Sequence, residues 1–242
     1  MKVKLKKEQK QQLKYLKMDN KIRILIVDDH QLVIKGILCS LKEVGDFDVV
    51  TTNNCDDAFS LIKADINSNP FQLLFTDLSF DNITDQSILQ GGEELIKAII
   101  HDEIDIKIGV ITGHTKTNRV YNVISNLKPN SYLLKSKCNA AEIGFAIQKM
   151  LVGEYYYTHE IHQKIMYRNI VKIQMDDIAL QILKALPNHA KISNLEGIIK
   201  KNDGTRIKLR SIEAKLANLR TDLNANNNTD LILKVKELGI ID

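Results

Sequence analysis

The sequence predicts an α/β fold: a doubly wound, five-stranded parallel sheet followed by a small all-α domain. Three observations carry this. Five short apolar runs of strand length lie between residues 22 and 134, each followed by a helix-length segment with 3.6-type spacing. Such alternation implies βαβ crossovers with helices covering both faces of a parallel sheet. Beyond residue 175 only helical periodicity is found.

The strands are expected at residues 22 to 27, 47 to 51, 72 to 76, 107 to 112 and 131 to 134, all rich in Ile, Val, Leu and Phe. The intervening helices are expected at Leu32 to Leu41, Asp56 to Ile66, Gly92 to Ile100, Asn118 to Leu127 and Ala140 to Leu151. Residues 155 to 175, "YYYTHEIHQKIMYRNIVKIQM", show no strand alternation and read as a helical connector or ordered linker, with the three tyrosines packing at a domain junction. Four helical segments follow: Asp176 to Leu186, Asn194 to Lys201, Leu209 to Leu223 and Thr229 to Leu238. The expected domains are a basic N-terminal extension (1–20), a sheet domain (21–153), a linker (154–175) and a helical domain (176–242).

Composition narrows the class. With 242 residues and 44% hydrophobic content, the chain can bury a real core. Cys39, Cys55 and Cys138 form no CxxC pair, which argues against a disulfide framework or zinc site and for a reducing cytoplasm. The first twenty residues hold seven lysines but no apolar core, and no later run could span a bilayer. Secretion and membrane insertion are not expected. Most of the net charge of +4 sits in that opening segment, which reads as a solvated tail.

In an open parallel sheet, working residues gather at the carboxyl ends of the strands. Strand one ends at Asp28 and Asp29, strand three at Asp77, strand four at Thr112 and strand five at Lys135. Adjacent carboxylates repel, and a hard divalent cation such as Mg2+ would offset that repulsion in an oxygen-rich pocket. Asp77 could then act as a nucleophile, Lys135 as a counter-charge to phosphate and Thr112 as a hydrogen-bond donor. Taken singly, each residue has a plainer reading, since acids at strand ends often cap helices. His30 and His114 are read as helix-start residues, not as ligands.

"ILIVDDH", "LLFTDL", "VITGH" and "YLLKSK", in this order, resemble the receiver domain of bacterial two-component response regulators, and "VDDH" with "YLLK" resembles the NarL/FixJ branch. The likeness covers roughly residues 21 to 160. It implies a flavodoxin-like receiver in which Asp77 accepts phosphate from a sensor histidine kinase. Magnesium would be held by Asp28, Asp29, Asp77 and the backbone carbonyl of Ser79. Lys135 and Thr112 would sense the phosphoryl group, and Tyr132 would be the aromatic switch. The loop after Asp77 departs from the family: "DLSFDNITDQSILQGGEEL" is about eight residues longer, lacks proline, and brings Asp81 and Asp85 toward the pocket.

In the C-terminal third, Leu209, Ile212, Leu216, Leu219 and Leu223 make one apolar stripe. Arg210, Lys215, Asn218 and Arg220 flank small side chains outside it, as suits a helix meeting phosphates and base edges. The segment "IKLRSIEAKLANLRTDLNANNNTDLILKVKELGII" resembles the closing half of a LuxR-type helix-turn-helix. That likeness puts Lys208, Arg210, Ser211, Lys215 and Arg220 at DNA, with Arg206 assigned to the same surface. Glu213 stands where many members carry a basic residue. The expected function is a transcription factor switched by phosphorylation, homodimeric when phosphorylated and bound to double-stranded DNA. The alternative is a phosphorylation-gated interaction switch that no longer binds DNA. An aspartate-nucleophile phosphatase is disfavoured, because Ser79 occupies the place of its second acid.

Overall fold

The computed structural model describes residues 21–81 and 83–241. The basic extension expected over residues 1–20 lies outside the described residues. The chain divides into two units: residues 21–113 with 127–158, and residues 114–126 with 159–241.

The first unit is built on a parallel sheet. Its strands are β1 (Arg23–Val27), β2 (Asp48–Thr52), β3 (Leu73–Thr76), β4 (Lys107–Thr112), β5 (Ser131–Leu134) and β6 (Tyr156–Tyr157), in the spatial order β2-β1-β3-β4-β5-β6. The central strands are buried along almost their whole length, which is why they read as unbroken apolar runs. Helices α1 (Gln31–Val44) and α5 (Ala140–Leu151) cover one face, packing Ile34, Ile37, Leu41, Ile143 and Ile147 around Ile24, Ile26, Phe75 and Leu133. Helices α2 (Cys55–Asp65) and α3 (Gly92–His101) bury Ala58, Ile62, Leu95, Ile96 and Ile99. Between β4 and β5 runs α4 (Thr117–Leu127), most of which groups with the second unit.

A sixth strand replaces the start of the expected linker. Tyr156 N–H donates to Asn130 O at 2.8 Å and Thr158 N–H to Tyr132 O at 3.2 Å, so the chain pairs with β5 before turning helical. The Tyr156 ring stacks on Phe145, and its hydroxyl donates to Glu142. Two residues are too few for alternation to register in sequence.

The second unit holds α6 (His159–Gln174), α7 (Asp177–Ala185), α8 (Leu209–Asp222) and α9 (Asn228–Glu237). Its core joins Ile182, Leu183, Leu195, Ile212, Leu216, Leu231 and Val235. Asp176 and Asn227 cap α7 and α9 by accepting from backbone N–H groups. The guanidinium of Arg168, on α6, donates to Leu238 O and Gly239 O at 3.0 Å each, closing the exposed carbonyls after α9.

The helix expected over Asn194 to Lys201 is not formed. A 3-10 turn spans Ile192–Leu195, Gly197 then adopts φ +88, and Lys200 bridges antiparallel to Arg206. The left-handed glycine ends the helical path. Gln181 holds the bridge open to its own helix by exchanging hydrogen bonds with the backbone of Lys200.

Candidate functional site

Parallel register delivers three of the expected residues to one place. Val27 pairs with Thr76, so Asp28 and Asp77 leave β1 and β3 side by side. Asp77 N–H donates to Val27 O at 3.0 Å, tying the two strand ends together. Asp28 and Asp77 are only 1% and 6% exposed. Lys135, just after β5, places its Nζ 2.7 Å from Asp28 Oδ2 and 2.7 Å from Asp77 Oδ2. Burial pushes the Lys135 pKa down, but the Asp28 and Asp77 carboxylates outweigh it and hold it above the ordinary lysine range. Its ammonium ion is therefore charged throughout the physiological range.

Asp77 is further fixed by its own turn. Leu78 N–H donates to Asp77 Oδ1 at 2.6 Å, and the Thr76 hydroxyl donates to Asp77 O at 2.8 Å. At Gly92, the first residue of α3, an added Cβ would lie 1.8 Å from Asp77 O. Only glycine lets α3 approach the strand end so closely.

The second acid, Asp29, faces the long loop. Its Oδ2 accepts from Asp81 N–H at 2.6 Å, and His30 Nδ1 stands 2.8 Å from its Oδ1. Asp28, Asp29 and His30 each offer a ligand atom within 4.8 Å of the others. Asp28 Oδ2 and Asp29 Oδ1 are sealed from solvent, with Lys135 Nζ 2.7 Å from the first and His30 Nδ1 2.8 Å from the second. Buried carboxylate oxygens gathered in this way fit a hard divalent cation. The donor set suits magnesium.

The remaining receiver residues lie as follows. Thr112 closes β4 and is fully buried, Tyr132 is fully buried in β5, and Ser79 is half-buried two positions past Asp77. Asp77 itself lies outside the group of three that could share a cation and instead faces Lys135.

Two participants were not found from the sequence. Asp56, in the first turn of α2, accepts from Ile88 N–H and Leu89 N–H at 3.0 Å each, clamping the long loop from a residue more than thirty positions away. No local pattern announces such a contact. His30 caps α1 without a side-chain hydrogen bond, as a helix-start residue, yet its ring also meets Asp29 and comes within 3.7 Å of Asp81 Oδ2. "VDDHQ" held that signal in plain adjacency.

On α8, Ile212, Leu216 and Leu219 are buried, while Arg210, Ser211 and Asn218 are exposed, as are Arg206 and Lys208 just ahead of the helix. Two expected DNA contacts are engaged within the unit. Lys215 pairs with Asp176 at 2.6 Å, and Arg220 donates to Asn228 at 3.2 Å. Glu213 is exposed.

VraR of Staphylococcus saprophyticus, a response regulator protein, is 24% identical to this chain over 233 residues, covering 91% of the chain and 99% of VraR. The transcriptional regulatory protein LiaR of Bacillus subtilis is 31% identical over 149 residues, 61% of the chain and 64% of LiaR. The response regulator UvrY of Escherichia coli K12 is 28% identical over 150 residues, 62% of the chain and 63% of UvrY. The chain is thus similar to response regulators, to VraR along nearly its whole length. The matches to LiaR and UvrY span just under two thirds of those proteins. No family model matches this chain. Among solved structures, RcsB of Salmonella typhimurium superposes with TM-score 0.59 at 17% identity, over 90% of this chain and 98% of RcsB. A structure of two RcsB dimers bound to two parallel DNAs gives TM-score 0.57 at 17% identity, over 90% and 99%. Both show the fold: a sheet unit followed by a helical unit.

Proposed function

We propose that this chain is a response regulator of the LuxR/NarL family, a transcription factor switched by phosphorylation of Asp77 by a sensor histidine kinase. The observation that carries the reading is the Lys135 ammonium ion shared between the buried Asp28 and Asp77 carboxylates at 2.7 Å, with Asp29 Oδ1 sealed from solvent nearby. An Asp77 carboxylate oxygen attacks the phosphorus of a phosphohistidine; the P–O bond forms as the P–N bond breaks, and the imidazole departs with the electron pair and takes up a proton. Bound through Asp28, Asp29, Asp77 and the Ser79 carbonyl, magnesium would neutralise charge on the transferring group. Lys135 then has a phosphoryl oxygen to meet in place of the bare carboxylate, and the Thr112 hydroxyl supplies a donor. As Thr112 is pulled inward the Tyr132 ring moves, a fully buried ring whose displacement a packed core cannot absorb silently.

The output is duplex DNA binding by α8. Exposed Arg206, Lys208, Arg210, Ser211 and Asn218 supply the donors such a surface needs. The interaction switch without DNA binding is not favoured, since LiaR is a transcriptional regulatory protein and RcsB is seen on DNA. Phosphorylation is proposed to favour a homodimer. No described helix is long and apolar enough to cross a membrane, and a cytoplasmic setting fits the unpaired cysteines.

Acetyl phosphate with magnesium should label the wild-type chain and leave Asp77→Asn unlabelled, read by intact mass. Chelation should remove labelling from the wild type. Equal labelling of both proteins would overturn the assignment.

A further inference from the structure

The long loop after β3 leaves and returns at one point. Gly92 N–H donates to Leu78 O at 3.3 Å, so the segment between them is an Ω-shaped excursion with a closed neck. Phe80 is buried at its start, but Asp81, Asp85 and Gln90 stand in solvent and Ile88 is 83% exposed. Apolar packing therefore does not hold the far part of the loop; hydrogen bonds do. Ser87 N–H donates to Thr84 O at 2.9 Å and the Gln90 side-chain amide to Ser87 O at 2.7 Å, knitting the tip to itself. Two acids outside the loop then fasten it. Asp56 Oδ2 accepts from Ile88 N–H and Asp56 Oδ1 from Leu89 N–H at 3.0 Å each, and Asp29 Oδ2 accepts from Asp81 N–H at 2.6 Å. An acid in the first turn of a helix ordinarily serves the helix terminus. Here the neighbours do that work: Asn54 accepts from Asp57 N–H at 2.7 Å, and the Asp57 carboxylate accepts from the Asn54 amide at 2.6 Å. Both Asp56 oxygens go to the loop instead.

We propose that Asp56 is a positioning residue for the magnesium pocket: by latching the loop it keeps Asp81 N–H on Asp29 Oδ2, which leaves Asp29 Oδ1 turned inward as a preformed ligand atom. The inference rests on the reading of Asp28, Asp29 and Asp77 as that pocket. A carboxylate turns easily about its last bond, so holding one oxygen fixes where the other points. Asp29 Oδ1 is the oxygen sealed from solvent, with His30 Nδ1 2.8 Å away, and Oδ2 is the one the loop holds. Partners that orient a ligating carboxylate govern about tenfold or more of metal affinity without touching the metal. Asp56 stands one step further out, and the loop backbone links it to Asp29.

Backbone amide NMR of the full chain, titrated with magnesium chloride, tests the latch. Asp56→Ala should raise the magnesium dissociation constant about tenfold and open the Ile88, Leu89 and Asp81 amides to hydrogen exchange. The Asp81 amide decides, since Asp56 does not touch it. Burial and then the Asp56, Asp29, Glu94 and Asp77 carboxylates push the Cys55 thiol up to about 12, so the charge of Asp56 is also felt among the pocket acids. Asp56→Asn separates charge from latch: it removes the charge, keeps an acceptor, and should retain most of the affinity that Asp56→Ala loses. Asp81→Pro deletes the donor itself and should match Asp56→Ala, whereas Asp81→Asn keeps the N–H and should bind as the wild type does. Should Asp56→Ala fold poorly, the two Asp81 variants carry the same test. The proposal is overturned if Asp56→Ala or Asp81→Pro binds magnesium as the wild type does, if the Asp81 amide of Asp56→Ala stays protected, or if Asp56→Asn binds as weakly as Asp56→Ala. A wild-type chain whose amides do not respond to magnesium would overturn pocket and latch together, while failure of the latch alone leaves the wild-type titration intact.

Discussion

In the sheet unit, Asp28 and Asp77 are nearly sealed from solvent and share one ammonium ion; in the helical unit, Lys208 and Arg210 stand in solvent while Lys215 is held by Asp176. Both regions place charged residues on opposing elements, but the energetics differ. Removing water from two carboxylates costs several kcal/mol each unless a cation compensates, so the pocket is a site of stored electrostatic tension. The pairs on α8 sit in high dielectric, where an exposed ion pair contributes about 0 to 1 kcal/mol. A new charge can rearrange the first region. The second is loose enough to exchange an internal partner for a phosphate.

The sharpest way to break this contrast is Lys135→Met. It leaves Asp28 and Asp77 facing one another without compensation, and breaking a buried pair in this way costs roughly 3 kcal/mol. Urea unfolding at neutral pH should show that loss, and millimolar magnesium should recover part of it by restoring a positive charge. In the wild type the folded Lys135 pKa is raised, so its contribution is fully present below the ordinary lysine value and is lost as pH rises through the folded value. The Lys135 contribution should thus be constant across the neutral range and fall in strong alkali. A variant as stable as the wild type, with or without magnesium, would show that the pocket stores no such tension.

A middle-sized effect separates exposed from engaged cations on α8. Arg210→Ala should weaken duplex binding about tenfold and reduce the salt slope by about one contact. Lys215→Ala should cost less, because wild-type Lys215 must first leave Asp176. Fluorescence anisotropy over a range of salt concentrations measures both. Equal losses would mean that the Lys215–Asp176 pair dissolves on DNA at no cost.

The same contrast explains what could be read from the residues alone. Asp28, Asp77, Thr112 and Lys135 were legible because strand ends in a parallel sheet converge whatever the side chains between them do. Register carries them there, and register follows from buried apolar runs such as "ILIV" and "LLFT". Asp56 was not legible: its hydrogen-bond donors, Ile88 N–H and Leu89 N–H, belong to a loop without periodicity. The lost helix at Asn194 to Lys201 failed for a related reason. Helical spacing of Leu195, Ile198 and Ile199 is present, but Gly197 and the exchange between Gln181 and Lys200 favour a turn. Spacing sets Lys215 and Arg220 outside the apolar stripe of α8, and only tertiary structure shows that they touch Asp176 and Asn228.

The smallest effect concerns Asp176, which does two jobs. It caps α7 by accepting from Ala179 N–H at 2.8 Å, and it pairs with Lys215 at 2.6 Å. Its slight burial pushes the carboxyl pKa up, but the Lys215 ammonium and the Ala179 N–H outweigh this and draw it below the usual value. Stability from a depressed carboxylate is present above its unfolded pKa and is lost as pH falls through the folded one. Asp176→Ala should cost about 1 kcal/mol by removing the cap, whereas Asp176→Asn keeps a cap and loses only an exposed pair, a few tenths of a kcal/mol. That small difference between Asp176→Asn and wild type should vanish in acid, where Asp176 is itself neutral, while the Asp176→Ala deficit should persist in part because the protonated carboxyl can still accept. If instead Asp176→Asn equals Asp176→Ala at neutral pH, the charge on this residue matters more than its cap, and the helical unit would resemble the sheet unit more closely than the exposure of its cations implies.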